Sequence, residues 1–285
     1  MRIFEVAPRD GLQNEADLLP TEDKVRLVEM LAQSGLADIE VSSFVSPARV
    51  PQLADADELF ARVTRRPGVR YWALVPNQRG LERALAANVD GIALFTAASE
   101  AFAQQNIGKS IEQSLAEYRK VAATAQSAGM RIRAYVSTAF VCPYSGPISP
   151  DAVLPVVKEL LEMGATEISI ADTIGAARPV DVARLTETLL PHLPLDRFAY
   201  HFHDTNGTAL GNVAKAMEYG VAIFDSSAGG LGGCPFAPSA PGNLATESLI
   251  QLLQDRGIEC GVDIEQIRVA ARWLALRHGA KRHGC

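Results

Sequence analysis

Along this chain, short runs rich in β-branched and aromatic residues alternate with longer segments whose apolar positions recur every three or four residues. The short runs predict strands at about 2–8, 37–44, 70–75, 90–95, 131–138, 166–171, 197–203 and 221–225. The longer segments predict amphipathic helices over 21–34, 52–64, 78–88, 109–128, 150–163, 178–190, 207–218 and 243–255. In the first of these, Val25, Leu27, Val28, Leu31 and Ala32 form the apolar stripe, and Thr21 is placed to cap the N-terminus. Gly35, Gly129, Gly164 and Gly220 close several of the segments, as expected of the residue just past a helix end. Eight βα units with no compositional break predict an α/β protein built as a closed (β/α)8 TIM barrel, with an extra C-terminal helical segment over roughly 262–278. The alternative, an open doubly wound sheet, would announce itself by a glycine-rich phosphate turn after the first strand, and none is there. Residues 1–285 therefore read as one catalytic barrel domain.

Composition narrows the partners. A hydrophobic content of 48% with 21% charged residues is that of a globular protein with a substantial core. The net charge of −6 argues against nucleic acid, while leaving room for a local basic patch toward an anionic ligand. No apolar run approaches the roughly 20 residues that span a bilayer, so no membrane association is expected. Cys142, Cys234, Cys260 and Cys285 show no paired spacing, which suits a reducing compartment. Met1 leads straight into Ile3-Phe4-Glu5-Val6 with no charged lead and no long apolar region. No signal peptide is read, and the cytoplasm is the expected location.

In a barrel, chemistry gathers where the strands end. Tyr200-His201-Phe202-His203 puts two imidazoles on one face of a strand, which then breaks into Asp204-Thr205-Asn206-Gly207. The first strand runs into Pro8-Arg9-Asp10-Gly11, and Gly242-Asn243 follows the last. Asp10, His201, His203 and Asn243 together offer a carboxylate oxygen, two ring nitrogens and an amide oxygen. That mixed set favours an octahedral divalent ion such as Mg²⁺ or Mn²⁺, and has too few thiolates for structural zinc. Each residue alone also has an ordinary reading: two core histidines, a turn aspartate, and an asparagine capping the last helix. Arg9 can hold a developing enolate or carboxylate oxygen, or pair structurally with Glu40; the two roles coexist. Cys234 follows Gly229-Gly230-Leu231-Gly232-Gly233, either as a thiol carried in by a closing loop or as a small apolar residue that packs. Cys142 has the same ambiguity and is read as structural. His192, His278 and His283 have no evident partners.

These residues carry a resemblance. Phe4–Glu15 (FEVAPRDGLQNE), Ile39–Val50 (IEVSSFVSPARV), His201–Gly207 (HFHDTNG), Gly230–Pro235 (GLGGCP) and Gly242–Glu247 (GNLATE) resemble the 3-hydroxy-3-methylglutaryl-CoA lyase family. Ala98-Ser99-Glu100 with Asn106, and Ser169–Gly175 (SIADTIG), fit the same pattern, so the resemblance covers nearly the whole chain. It implies retro-Claisen cleavage of 3-hydroxy-3-methylglutaryl-CoA to acetoacetate and acetyl-CoA, with the cation held by Asp10, His201, His203 and Asn243. His203 or Asp10 would be the base, Arg9 would stabilise the enolate, Cys234 would protonate it, and Glu40 would orient Arg9. Arg9, Gln13, Ser43, Asp172 and Thr173 make up the implied substrate-binding set, the substrate being an acyl-CoA. A homodimer is expected by analogy of fold alone. Leucine degradation, ketone-body formation and breakdown of a branched terpenoid acid are all pathways such a reaction could serve.

The chain departs from the family at Ala16, where lysine is common, at Asn206 before Gly207, and at Ala171, where glycine is common. None removes an implied ligand, base or acid. The changes bear on coenzyme A contacts and on the acyl group admitted. A lyase for a related 3-hydroxy-3-alkylglutaryl-CoA with a longer branch therefore remains an alternative, as does a Claisen-condensing synthase of the same superfamily. That synthase branch usually carries a further C-terminal module.

Overall fold

Strand alternation sorts this chain's side chains into two environments, a helix-facing apolar layer and a polar barrel interior. A computed structural model describes residues 1–232 and 242–278. In chain order the strands are β1 (Arg2–Glu5), β2 (Asp38–Ser43), β3 (Arg70–Leu74), β4 (Gly91–Ala97), β5 (Arg131–Ser137), the small pair β6 (Val141–Cys142) and β7 (Gly146–Pro147), β8 (Glu167–Asp172), β9 (Phe198–Phe202) and β10 (Ile223–Ser226). The β6–β7 hairpin is separate and antiparallel. The other eight are parallel and close in sequence order, β10 pairing β1 with Phe4 beside Asp225. The (β/α)8 barrel is thus the observed fold.

The helices are α1 (Thr21–Gln33), α2 (Ala56–Arg62), α3 (Gln78–Ala86), α4 (Glu100–Ile107), α5 (Ile111–Ser127), α6 (Pro150–Glu162), α7 (Pro179–Leu189), α8 (Ala209–Glu218), α9 (Thr246–Asp255) and the additional α10 (Ile264–His278). Among the described residues, no helix is long and apolar enough to cross a membrane. Capping explains several starts. Asn77 accepts from the Gly80 amide at α3, and Ser110 with Gln113 forms a reciprocal capping box at α5. Gly35, Gly129, Gly164 and Gly220 all take positive φ, which lets the chain leave its helix sharply.

Two local readings are corrected, and one helix is added. Thr21 does not cap α1; Pro20 occupies that position and the Thr21 hydroxyl donates to Asp55 at 2.8 Å. Asn243 does not cap α9, the helix predicted over 243–255, whose N-cap is Ala245. The segment ahead of α5 folds as α4, whose N-terminus Ser99 caps through the Phe102 amide. Only Phe102 and Ala103 of α4 are buried, too short a stripe for periodicity to reveal.

The first strand also ends earlier than its apolar run predicts. Ala7–Gly11 forms one π-helical turn in which the amides of Arg9, Asp10 and Gly11 all donate to the Val6 carbonyl. That turn carries Arg9 and Asp10 over the barrel mouth.

Strand β9 shows the sorting plainly. Phe198, Tyr200 and Phe202 join the apolar layer against the helices, with Tyr200 stacked on Phe202 at 4.9 Å, while His201 faces the other way. At the strand starts the interior is filled by paired charges. Arg133, fully buried, donates to Asp225 and Glu167 and lies 3.9 Å over the Phe4 ring. Arg2, Arg70 and the Trp72 indole N–H all converge on Asp38. Burying these charges is tolerable only because each has an opposite partner in hydrogen-bond contact.

Candidate active site

Arg9, Asp10, Glu40, His201, His203 and Asn243 meet at the C-terminal end of the barrel, on the wall of a cavity of about 830 Å³ or immediately behind it. The π-helical turn after β1 supplies Arg9 and Asp10, β2 supplies Glu40, and β9 with its continuation supplies the two histidines. Asn243 is brought in by a single bridge to His203, supported by the Asp204 amide on the Gly242 carbonyl at 2.7 Å.

Asp10 is the hub. Its Oδ1 accepts from the Arg9 guanidinium and from Gln13 Nε2 at 2.8 Å, and its Oδ2 accepts from Asn243 Nδ2 at 2.9 Å. Burial works against its charge, but Arg9 and the two histidines outweigh that and hold the carboxyl well below the usual range. His201 Nε2 lies 3.9 Å from Asp10 Oδ2, and the two imidazole rings are 5.2 Å apart. Asp10, His201 and His203 each place a ligand atom within 4.8 Å of the others. Burial, then the neighbouring His201, lowers His203 to about 4, so its ring is neutral at physiological pH.

Arg9 is clamped behind the hub. Its Nε donates to Glu40 Oε2 at 2.6 Å, the Tyr135 hydroxyl donates to the same oxygen at 3.0 Å, and the guanidinium lies 5.3 Å from the Tyr135 ring centroid. Burial opposes the cation, and Glu40 with Asp10 more than restores it.

The site's donor set suits a divalent cation. Among the described residues, His203 Nδ1 and Asn243 Oδ1 are buried with no hydrogen-bond partner, and each is an atom a cation could satisfy. Asn243 uses its amide nitrogen on Asp10 and on the Leu231 carbonyl, which leaves Oδ1 as the available face.

The comparisons with known proteins agree with this geometry. The HMGL-like family model matches residues 1–274. The hydroxymethylglutaryl-CoA lyase of Pseudomonas mevalonii is 48% identical over 267 residues, covering 94% of this chain and 89% of that protein. A Pseudomonas aeruginosa protein described as a 3-hydroxy-3-isohexenylglutaryl-CoA/hydroxy-methylglutaryl-CoA lyase is 47% identical over the same length and coverage. The crystal structure of the HMG-CoA lyase from Brucella melitensis superposes with a TM-score of 0.96 at 45% identity, covering 98% of both chains. This chain belongs to the hydroxymethylglutaryl-CoA lyase family. It is a family of carbon–carbon lyases.

Within that family frame, the other sequence-derived residues divide. Gln13, Ser43 and Thr173 line the cavity beside Arg9. Ser43 Oγ donates to the Leu74 carbonyl, and Thr173 Oγ1 accepts from the Thr138 amide at 2.7 Å. Asp172 does not line the cavity. Both its oxygens cap the turn after β8 by accepting from the Ala176 and Ala177 amides at 3.0 Å, and burial raises the carboxyl to about 6. Cys234, the acid the resemblance implies, lies outside the described residues.

Two residues enter the site beyond the sequence-derived set. Tyr135 is visible in sequence as one of the polar residues near the strand ends, with no role assigned. Asp225 stands behind His201, its Oδ2 3.2 Å from the ring's Nδ1. Its signal is a lone carboxylate in the apolar strand Ile223-Phe224-Asp225-Ser226.

Proposed function

We propose that this lyase-family chain cleaves 3-hydroxy-3-methylglutaryl-CoA to acetoacetate and acetyl-CoA, using a divalent cation, Mg²⁺ or Mn²⁺, held by Asp10, His201, His203 and Asn243. The observation that carries the reading is the convergence of Asp10, His201 and His203 ligand atoms within 4.8 Å beside a clamped arginine. The bound cation would polarise the substrate's C3 hydroxyl and lower its pKa.

The chain's own groups account for the remaining steps. The hydroxyl proton passes to a base, His203 or Asp10, and the C2–C3 bond breaks as the C3 ketone of acetoacetate forms. The electron pair of that bond goes to C2 as the enolate of acetyl-CoA. Arg9, fixed by Glu40 and Tyr135, presents N–H donors where the enolate oxygen gathers charge, with no reorganisation left to do. Delivery of one proton to C2, the role the family resemblance implies for Cys234, completes acetyl-CoA. The proton taken and the proton given balance, so no water is consumed.

A second reading is supported by the lining of the cavity. Val45, Leu53, Leu74, Phe95 and Ile107 are among the residues that line it, and the Pseudomonas aeruginosa relative is described as a 3-hydroxy-3-isohexenylglutaryl-CoA lyase too. A longer alkyl branch at C3 fits this chemistry without any change in the reacting groups.

The test is turnover by metal-stripped protein with and without Mg²⁺ or Mn²⁺, assayed for acetoacetate from the methyl substrate and for the homologous keto acid from the longer one. Metal-dependent acetoacetate release supports the first reading. Turnover of the longer substrate alone moves the assignment to the second, and no turnover of either with cation bound overturns both. The homodimer reading rests on fold analogy; light scattering giving the mass of one chain would remove it.

A further inference from the structure

Asp225 lies directly opposite His201 in the parallel β9–β10 ladder, so their side chains emerge side by side into the barrel interior. Its Oδ2 receives His201 Nδ1 at 3.2 Å, the Ser169 hydroxyl at 2.9 Å and Arg133 Nη1 at 3.1 Å, while its Oδ1 receives Arg133 Nη2. Its other neighbours, Arg133 and Ser169, both donate to this carboxylate, and the aspartate is wholly buried. On the far side of the ring, His201 Nε2 faces Asp10 Oδ2 at 3.9 Å, too far for a hydrogen bond.

We propose that Asp225, locked by Arg133 and Ser169, is a positioning residue that fixes the proton of His201 on Nδ1 and leaves the Nε2 lone pair directed at Asp10 and the cation site. An ionised carboxylate accepts only, so the nitrogen it touches must carry the hydrogen. With Nε2 bare, two acceptors face one another across 3.9 Å with no proton between them, an arrangement a shared cation resolves. The proposal deepens the cation reading above and rests on it for the role of Nε2, but its claim about the ring proton stands separately.

Asp225→Ala is the discriminating change, because an amide here would meet an Arg133 N–H at either oxygen's place. The alanine removes the acceptor beside His201 Nδ1, and with it the reason for the proton to stay there. A free imidazole side chain favours its hydrogen on Nε2, so the ring proton moves to Nε2 and into the cation site. The same logic of a supporting carboxylate setting a histidine's tautomer applies wherever a ring nitrogen binds metal.

The experiment records ¹⁵N chemical shifts of histidine-labelled, metal-free full-length protein at pH 8.5, with the His201 signals assigned by their loss in His201→Gln. Mn²⁺ titration followed by electron paramagnetic resonance is run in parallel. Wild type is expected to carry the proton on Nδ1, Asp225→Ala on Nε2, and the variant's Mn²⁺ affinity should fall by about 10- to 100-fold. A wild-type proton on Nε2 overturns the proposal, and that result stands even if the variant does not fold. An unchanged tautomer in Asp225→Ala overturns it as well. A moved proton with unchanged Mn²⁺ affinity overturns the positioning role toward the cation. If wild type binds no Mn²⁺, the cation reading fails, while the tautomer comparison still decides what Asp225 does to the ring.

Discussion

Arg9 and Glu40 form a buried pair, Nε to Oε2 at 2.6 Å, with the arginine on the turn after β1 and the glutamate inside β2. The bond holds a guanidinium at the cavity wall in one orientation, and Tyr135 closes the third side. A group fixed in this way is prepared for charge that develops during reaction rather than for charge already on the substrate.

Arg9→Lys keeps the positive charge and loses the directed N–H fork that Glu40 orients. It is expected to lower kcat by about 10²- to 10³-fold with a much smaller change in KM. Steady-state kinetics on the methyl substrate check this; a loss confined to KM would mean that Arg9 binds the ground state instead.

Asp10→Asn preserves shape and removes the charge at the hub of the site. Mn²⁺ affinity should fall by at least about 10²-fold, more than an outer-shell change costs. Isothermal titration with Mn²⁺ reads the effect directly, without relying on turnover. Equal affinity in the variant would remove Asp10 from the ligand set.

Gly232→Ala tests how Asn243 is held. Gly232 has φ of +105°, and an added Cβ would lie 2.6 Å from Asn243 Nδ2 and 3.0 Å from Gly11 Cα. The substitution should displace the Asn243 amide, weakening Mn²⁺ binding and turnover together, and the strain of a side chain at this positive φ should lower the thermal midpoint as well. Unimpaired Mn²⁺ binding would show that Asn243 is dispensable as a ligand.

Glu5 links pH to stability. It is fully buried, accepts from the Ala7 and Ala228 amides and from Thr246, and burial raises it to about 7 from an ordinary 4.5. A raised carboxyl binds its proton more tightly folded than unfolded. Its ionisation is therefore a cost absent below about pH 4.5, growing through the window and complete above about pH 7. The upper limit of that cost is about 3 kcal/mol. Glu5→Gln should flatten the fall of urea-unfolding free energy between these pH values, and an unchanged slope would assign the wild-type pH dependence elsewhere.

Much of this was legible in the chain itself. The positions of the eight barrel strands follow from apolar runs, because burial against helices on one side demands them whatever lies far away. The shared face of His201 and His203 follows from the period-two geometry of a strand, a purely local rule. The adjacency of Arg9 and Asp10 placed both on one loop at a strand end. The π-helical turn that carries them was not legible, since its defining bonds return to the Val6 carbonyl from residues that a longer strand would have used otherwise.

What only the tertiary structure decided is lateral. Asn243 reaches Asp10 across 233 positions, and Asp225 meets His201 because two strands pair in one register and not the next. Asp172 also stands at a strand end, as an expected substrate-facing residue, yet its oxygens turn back to two backbone amides of its own loop. Alternation along a strand determines which face a side chain takes. Which side chains then share that face depends on how neighbouring strands align and how the barrel closes, and those are properties of the whole packed molecule.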